Sequence, residues 1–138
     1  LEETADLNGN IIPVNKGLSD VNTKTTLFVN TKSDSAANTL IHAENMTASY
    51  SIETVRLDDF VSENNLSRVD FIKADIEGAE RLMLEGAQET LKRFAPKLAL
   101  CTYHLPDDPE VMSSLILKAN PKYNIVQKRM KLFASVPE

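Results

Sequence analysis

The sequence predicts an α/β fold in which a mostly parallel sheet carries helices on both faces and ends in an antiparallel hairpin. Two observations lead to this prediction. From residue 69 onward, the local patterns follow the order strand, helix, strand, helix, strand, strand. The strands at residues 69–75 and 97–103 are largely apolar runs rather than strictly alternating ones, which is typical of parallel strands buried on both sides.

The N-terminal half carries fewer regular patterns. Residues 1–7 read as the end of a helix, with Asn8 and Gly9 as its stop signal. Short runs rich in apolar and β-branched residues predict three strands, at residues 10–15, 24–29 and 51–55. Pro13 would place the first of these at a sheet edge, because proline has no N–H to donate. A turn is expected at residues 17–20, and a long polar loop at 30–50 with a short helix near 38–45.

Two helices are predicted around the strand at residues 69–75. Asp58 is placed to cap a short helix that extends to Asn64. The longest helix is predicted between Gly78 and Phe94, because apolar side chains recur there at helical spacing and Pro96 follows. Its buried stripe consists of Met83, Ala87, Thr90, Leu91 and Phe94. Gly86 lies inside this helix at a cost of about 1 kcal/mol relative to alanine, which indicates close packing there.

The last third of the chain completes the pattern. Asp108 followed by Pro109 predicts the start of another helix, with Asp108 as its cap. The apolar face of that helix consists of Val111, Met112, Leu115, Ile116 and Ala119. Residues 122–127 and 131–136 predict two closing strands, joined as a hairpin around Lys128 and Arg129.

Length and composition narrow the function classes. A chain of 138 residues is expected to form one domain, with a core that needs neither a disulfide nor a metal. The net charge of −5 and the lack of a basic block argue against binding to nucleic acids or anionic membranes. No apolar run approaches the ~20 residues of a membrane span and no secretory signal is visible, so a soluble cytoplasmic protein is predicted. The single cysteine, Cys101, lies in an apolar run and is expected to be a buried thiol.

The strand at residues 69–75 ends in a group of acidic residues. Asp75 and Glu77 fall where open α/β sheets bind ligands, just outside the carboxyl ends of parallel strands. Tyr103 and His104 follow the next strand and are expected at the same sheet edge. Two carboxylates and an imidazole could bind a divalent metal, but no tight ligand spacing supports this, so no metal is predicted. The alternative interpretation is that Asp75 and Glu77 only cap the following helix and that His104 is a loop residue.

Five segments together resemble the C-terminal half of the FkbM-type methyltransferases: residues 54–60, 69–80, 84–87, 96–100 and 103–104. The block at 69–80 is the most specific of them, and residues 1–20 also resemble the family. Members of this family are S-adenosylmethionine-dependent enzymes with a Rossmann-like fold that commonly methylate hydroxyl groups of sugars and small natural products. The resemblance therefore implies a Rossmann-like methyltransferase domain over residues 1–138, with S-adenosylmethionine as cofactor and a small molecule as substrate.

The same resemblance implies roles for individual residues. Gly17, Leu18 and Asp75 would contact the cofactor. Asp75, Glu77 and His104 would act in catalysis. The residues expected to contact the substrate are Glu77, Gly78, Tyr103 and His104.

The chain departs from the family in its glycines. In such a fold the first strand ends in a glycine-rich turn that cradles the methionine part of the cofactor. None of Gly9, Gly17, Gly78 and Gly86 forms a turn of that kind. The chain is therefore expected to be an incomplete, N-terminally truncated domain that lacks strands from the centre of the sheet. The alternative function is a non-catalytic remnant that associates with itself, as a homodimer through an exposed sheet edge, or with another chain. A third interpretation is complementation, in which a separate chain supplies the missing strands.

Overall fold

The computed structural model describes residues 9–29, 38–40 and 48–137, and these form two four-stranded sheets with helices packed beside them. The first sheet consists of β1 (Gly17–Leu18), β2 (Thr23–Val29), β3 (Asn38–Thr39) and β4 (Ala48–Val55), in the spatial order β1-β4-β2-β3. The second consists of β5 (Phe71–Ala74), β6 (Lys97–Cys101), β7 (Asn124–Lys128) and β8 (Lys131–Ser135), in the order β5-β6-β8-β7. The helices are α1 (Leu57–Glu63), α2 (Glu80–Glu85), α3 (Gln88–Phe94) and α4 (Asp108–Ala119).

The α/β class is confirmed, but the expectation of a mostly parallel sheet is wrong for the described residues. Strands β1 and β4 pair in parallel, as do β5 and β6. The remaining pairs, β2 with β3, β2 with β4, β6 with β8 and β7 with β8, are antiparallel. The predicted C-terminal hairpin is confirmed and explains part of this, because a tight turn at Arg129 and Met130 can only join antiparallel neighbours.

The strand expected at residues 10–15 is wrong. Residues 11–16 have no regular structure, and the side chain of Ile12 is 84% exposed. Pro13 cannot donate a ladder hydrogen bond, so pairing begins only at Gly17, which lies opposite Thr54. The turn expected at 17–20 is therefore wrong for its first two residues, which form β1.

The other N-terminal strands follow the sequence more closely. The strand at 24–29 is confirmed as β2, and the strand at 51–55 is the second half of β4. The short helix expected near 38–45 is wrong at its start, because Asn38 and Thr39 pair with β2 as strand β3. Residues 41–45 of that helix and the helix end expected at 1–7 lie outside the described residues.

The single helix expected between Gly78 and Phe94 is two short helices, α2 and α3, which meet at Gly86. A β-carbon built on Gly86 would lie 2.1 Å from the carbonyl oxygen of Ser19. The carbonyl of Gly86 in turn accepts a hydrogen bond from the N–H of Asp58 at 2.9 Å. The close packing predicted at Gly86 is thus confirmed. Gly86 packs against the loop after β1 and is hydrogen-bonded to helix α1.

Two helix caps lie in other places than expected. Helix α1 is preceded by Arg56, and Asp58 lies inside its first turn. The Asp58 carboxylate caps α3 instead, where it accepts hydrogen bonds from the N–H of Glu89 at 3.1 Å and of Thr90 at 2.8 Å. At α4 the capping position belongs to Asp107, since Asp108 is already helical.

The hydrophobic core lies in the second sheet and the helices beside it. Helices α2 and α3 both contact α4, and α1 contacts α3. Among its large aliphatic side chains, those fully buried in the described residues are Met83, Leu84, Leu91, Leu98, Leu100, Met112, Ile116 and Leu132. Leu18 of β1 and Leu57 of α1 pack against this core, which links the first sheet to the second. None of the helices in the described ranges is long and apolar enough to cross a membrane.

Candidate active site

The turn between β5 and α2 has an unusual backbone. Glu77 has a φ of 55° and Gly78 a φ of 96°, both in the left-handed region. Glycine adopts this region freely, whereas an L-residue such as Glu77 does so at a cost of about 1–2 kcal/mol. The hydroxyl of Thr39 donates a hydrogen bond to the carbonyl of Glu77 at 2.8 Å, which ties this turn to the first sheet. A strained residue with a charged side chain is a frequent property of functional turns.

The buried side chain of Glu80 stabilises the same turn through hydrogen bonds to its backbone. Its side chain is fully buried, and its carboxylate accepts hydrogen bonds from the N–H of Ile76 at 2.8 Å and of Gly78 at 3.0 Å. This arrangement resembles a capping box, in which a glutamate early in a helix reaches back to the preceding backbone. The capping role considered for the acidic group thus belongs to Glu80, and the side chains of Asp75 and Glu77 have other partners.

His104, which follows β6, places its imidazole among three carboxylates. Its Nε2 lies 3.2 Å from Oε2 of Glu77 and 4.0 Å from Oδ1 of Asp75, and its Nδ1 lies 3.5 Å from Oε1 of Glu80. The side chain is only 10% exposed. Neither ring nitrogen has a hydrogen bond of good geometry with any residue in the described ranges. His104 therefore does lie in the loop after β6, but its imidazole is buried beside the acidic residues.

Tyr103 orients Asp75. Its hydroxyl donates a hydrogen bond to Oδ1 of Asp75 at 2.9 Å, and its ring centroid lies 4.0 Å from that of His104. The hydrogen bond to Asp75 raises the pKa of Tyr103 to about 12. Burial acts to raise the pKa of Asp75, but the hydrogen bonds from Tyr103 and Cys101 and the charges of Lys73 and His104 together lower it below its usual value. Burial, followed by the proximity of Asp75, raises the pKa of the Cys101 thiol.

A cavity of about 300 Å³ lies between the two sheets beside this turn. Gly17 and Leu18 line it from β1, and Asp75 and Glu77 line it from the end of β5. The three residues expected to contact the cofactor therefore face one cavity, and two of the expected catalytic residues, Asp75 and Glu77, line it as well. Gly78, Tyr103 and His104 are not among its lining residues, and the N–H of Gly78 is already occupied by Glu80.

Sequence reasoning missed the apolar walls of this cavity. They consist of Leu27 from β2, Leu40 after β3 and Ile52 from β4, with Ile76 and Ala79 beside the acidic turn. Alternation along β2 and β4 was the available signal for Leu27 and Ile52. Leu40 stands in a polar stretch with no periodicity, so no sequence signal identified it.

Comparison with known proteins gives the chain a family. The Methyltransferase FkbM domain matches residues 4–124. A 43-residue segment is 46% identical to the 2-O-methyltransferase NoeI of Sinorhizobium fredii and covers 31% of this chain and 18% of NoeI. The crystal structure of methyltransferase FkbM from Methylobacillus flagellatus matches 97% of this chain with a TM-score of 0.62 at 22% identity, and the match covers 31% of that structure's chain. The likeness at this identity shows an α/β fold in common. Because the domain covers most of its residues, the chain belongs to the FkbM methyltransferase family.

Proposed function

We propose that this chain forms part of a site in which a methyl group is transferred from S-adenosylmethionine to a hydroxyl oxygen of a sugar or another small molecule. The observation that carries the proposal is the cavity that joins apolar walls from the first sheet to Asp75 and Glu77 from the second. The family assignment supports methyl transfer, and the relative called a 2-O-methyltransferase supports an oxygen acceptor. The proposal includes a Rossmann-like arrangement of the complete domain.

The residues of the cavity fit the chemistry of this cofactor. Leu18, Leu27 and Ile52 offer an apolar surface suited to the adenine ring. The carboxylates of Asp75 and Glu77 complement the positive charges of the sulfonium and the amino group. When bound, S-adenosylmethionine supplies an electrophilic methyl group. None of the four glycines of this chain lies in a glycine-rich turn of the kind that the family uses for the methionine part of the cofactor. The described residues of this chain would therefore contact the adenine and the acceptor.

The chain's own residues would act on the acceptor hydroxyl. Asp75, held in place by Tyr103, would orient the hydroxyl beside the cofactor. Glu77 and His104 stand together, with Oε2 and Nε2 3.2 Å apart, and a hydroxyl within hydrogen-bond reach of either could give up its proton there. Most of the rate enhancement would come from alignment of the acceptor oxygen with the methyl group.

Isothermal titration of the 138-residue chain with S-adenosylmethionine tests the proposal. Stoichiometric binding is expected, and Asp75→Asn should weaken it. Asp70→Asn is the matched control, because Asp70 undergoes the same change near the other end of β5, where it pairs with Arg68 on the surface. The proposal fails if the folded chain gives no binding heat, or if both variants bind as the parent does.

A specific observation also favours the alternative of self-association. Within the described ranges, β5 pairs only with β6, so its other edge is open, and the side chain of Phe71 is 58% exposed. Open strand edges invite pairing with another chain. Light scattering would then show a dimer that Phe71→Lys dissociates, while Phe133→Lys, an exposed position on the inner strand β8, has no effect. A monomer at every concentration would exclude this function.

A further inference from the structure

We propose that Asp75, Glu77 and His104 form a binding site for a divalent cation. One ligand atom from each of these side chains can be chosen so that all three lie within 4.8 Å of one another. The inference goes beyond the proposed function, because cation binding needs neither S-adenosylmethionine nor a methyl acceptor. It also reverses the expectation from sequence, where the spacing of the three residues predicted no metal.

The state of His104 is the observation that points to a ligand. Its imidazole is nine-tenths buried, and in the described part of the chain neither nitrogen has a hydrogen-bond partner. A buried polar atom without a partner costs about 1–3 kcal/mol, and such atoms are rare in native structures. The Nε2 atom lies 3.2 Å from Oε2 of Glu77 and 4.0 Å from Oδ1 of Asp75, and both oxygens have lone pairs of their own. A cation between these atoms satisfies all three at once.

The two distances from His104 to the carboxylates suit a common metal ion. Ligand atoms about 2.1 Å from a common ion are about 3.0 Å apart at a right angle and about 4.2 Å apart across the ion. The Nε2 of His104 lies 3.2 Å from Glu77 Oε2 and 4.0 Å from Asp75 Oδ1, which falls within this interval. Two carboxylates with one imidazole suit Mn²⁺ and its transition-metal neighbours, whereas Ca²⁺ prefers oxygen ligands alone.

A supporting set of residues is also in place around the three ligands. Metal-bound histidines usually direct their second nitrogen to a carboxylate, which fixes the tautomer and the ring orientation. Here Nδ1 of His104 lies 3.5 Å from Oε1 of Glu80, and Glu80 is itself anchored by two backbone N–H groups. Tyr103 likewise anchors Asp75 at 2.9 Å. Glu77, whose φ is 55°, brings its Oε2 to 3.2 Å from Nε2 of the same histidine.

The position of the site suggests what the cation does. Asp75 and Glu77 also line the cavity between the sheets, so open coordination positions would face that cavity. An acceptor hydroxyl could bind to the cation there and be held beside the methyl donor. This role, unlike cation binding itself, rests on the proposed function.

Titration of the folded chain with MnCl₂ alone, followed by calorimetry and by the loss of the free Mn²⁺ electron paramagnetic resonance signal, tests the inference. We expect one ion per chain, weaker binding of Ca²⁺, and affinity losses of at least about tenfold in Glu77→Gln and in His104→Gln. Glu63→Gln, the same change at the exposed end of α1, is the matched control and should bind as the parent does. Circular dichroism of each variant establishes that it is folded.

Absence of Mn²⁺ binding in the folded parent chain overturns the inference, and so does binding that either ligand variant leaves intact. A separate titration with S-adenosylmethionine distinguishes the two proposals. A chain that binds the cofactor but not Mn²⁺ retains the proposed function and excludes the cation site. A chain that binds Mn²⁺ but not the cofactor retains the cation site and excludes the proposed function.

Discussion

Replacement of Gly86 by alanine should destabilise the protein, although the local backbone alone predicts the opposite. Gly86 has a φ of −77° and a ψ of 0°, a conformation that alanine adopts without strain. At such positions a change from glycine to alanine usually stabilises a protein by about 0.4–1 kcal/mol, because the unfolded chain loses freedom. The sign of the effect therefore reports the tertiary contact at this residue.

The expected loss of stability in Gly86→Ala can be estimated from the contact of Gly86 with the loop after β1. The new β-carbon would lie 2.1 Å from the Ser19 carbonyl oxygen and 3.3 Å from the α-carbon of Arg56. Both are backbone atoms, and the N–H of Ser19 is bonded to the carbonyl of Val55 at 3.1 Å. Relief of the clash thus requires a shift of the backbone, and overpacking of this kind costs about 1–3 kcal/mol. After the backbone gain of about 0.4–1 kcal/mol is subtracted, the middle of these ranges gives a net loss of about 1.3 kcal/mol.

Urea denaturation followed by circular dichroism would measure this change in the free energy of unfolding. Gly9→Ala is the matched control, since a β-carbon there meets no atom within 4 Å, and its effect should stay within about 0.5 kcal/mol. If Gly86→Ala is as stable as the parent or more stable, the packing of α2 against the Ser19 loop is not as described. The test also concerns the cavity, because Ser19 directly follows Leu18 in its wall.

Three further changes test other features of the structure. Glu77→Gly should be about 1 kcal/mol more stable than Glu77→Ala in urea denaturation, because only glycine relieves the φ of 55°, and equal stabilities would contradict the strain. Asp58→Ala should lower the free energy of unfolding by about 1–2 kcal/mol through loss of the cap on α3 at Thr90, and an unchanged midpoint would argue against that cap. The hydroxyl of buried Tyr123 donates to the carbonyl of Pro96, and burial raises its pKa to about 12 from an ordinary 10.0. Its contribution is fully present below pH 10 and is lost as the pH rises to 12, so the titration of Tyr123 should account for about 2–3 kcal/mol of the stability that the parent loses over this interval. Tyr123→Phe should lose less than the parent by that amount, and equal losses would contradict the raised pKa of Tyr123.

Sequence alone predicted the local elements of the C-terminal half, since their signals lie within a few residues of each other. The pair Asp108-Pro109 located a helix to within a few residues. The apolar spacing around Met83 and Leu91 located the helical region but predicted one helix where the structure has two. The pairing of strands depended on distant contacts. No pattern in β6 indicates that one edge pairs with β5 in parallel and the other with β8 in the antiparallel direction.

For the candidate site, too, the residues could be predicted from the sequence but their spatial arrangement could not. Asp75, Glu77, Tyr103 and His104 were located because strand ends can be recognised from sequence, and the structure brings their side chains together. The position of His104 among carboxylates could not be predicted, since it depends on how β5 and β6 align and on the buried side chain of Glu80.

The cap on α3 has a consequence for how this protein folds. Helix α3 has seven residues, far fewer than the ~12–15 at which an isolated helix becomes even marginally stable in water. The groups that satisfy its first N–H donors come from Asp58, which precedes Thr90 by 32 residues and belongs to α1. We therefore expect α1 and α3 to be stable only when both are formed. Native-state hydrogen exchange should find their amides opening in one cooperative unit, even though β5 and α2 separate them along the chain.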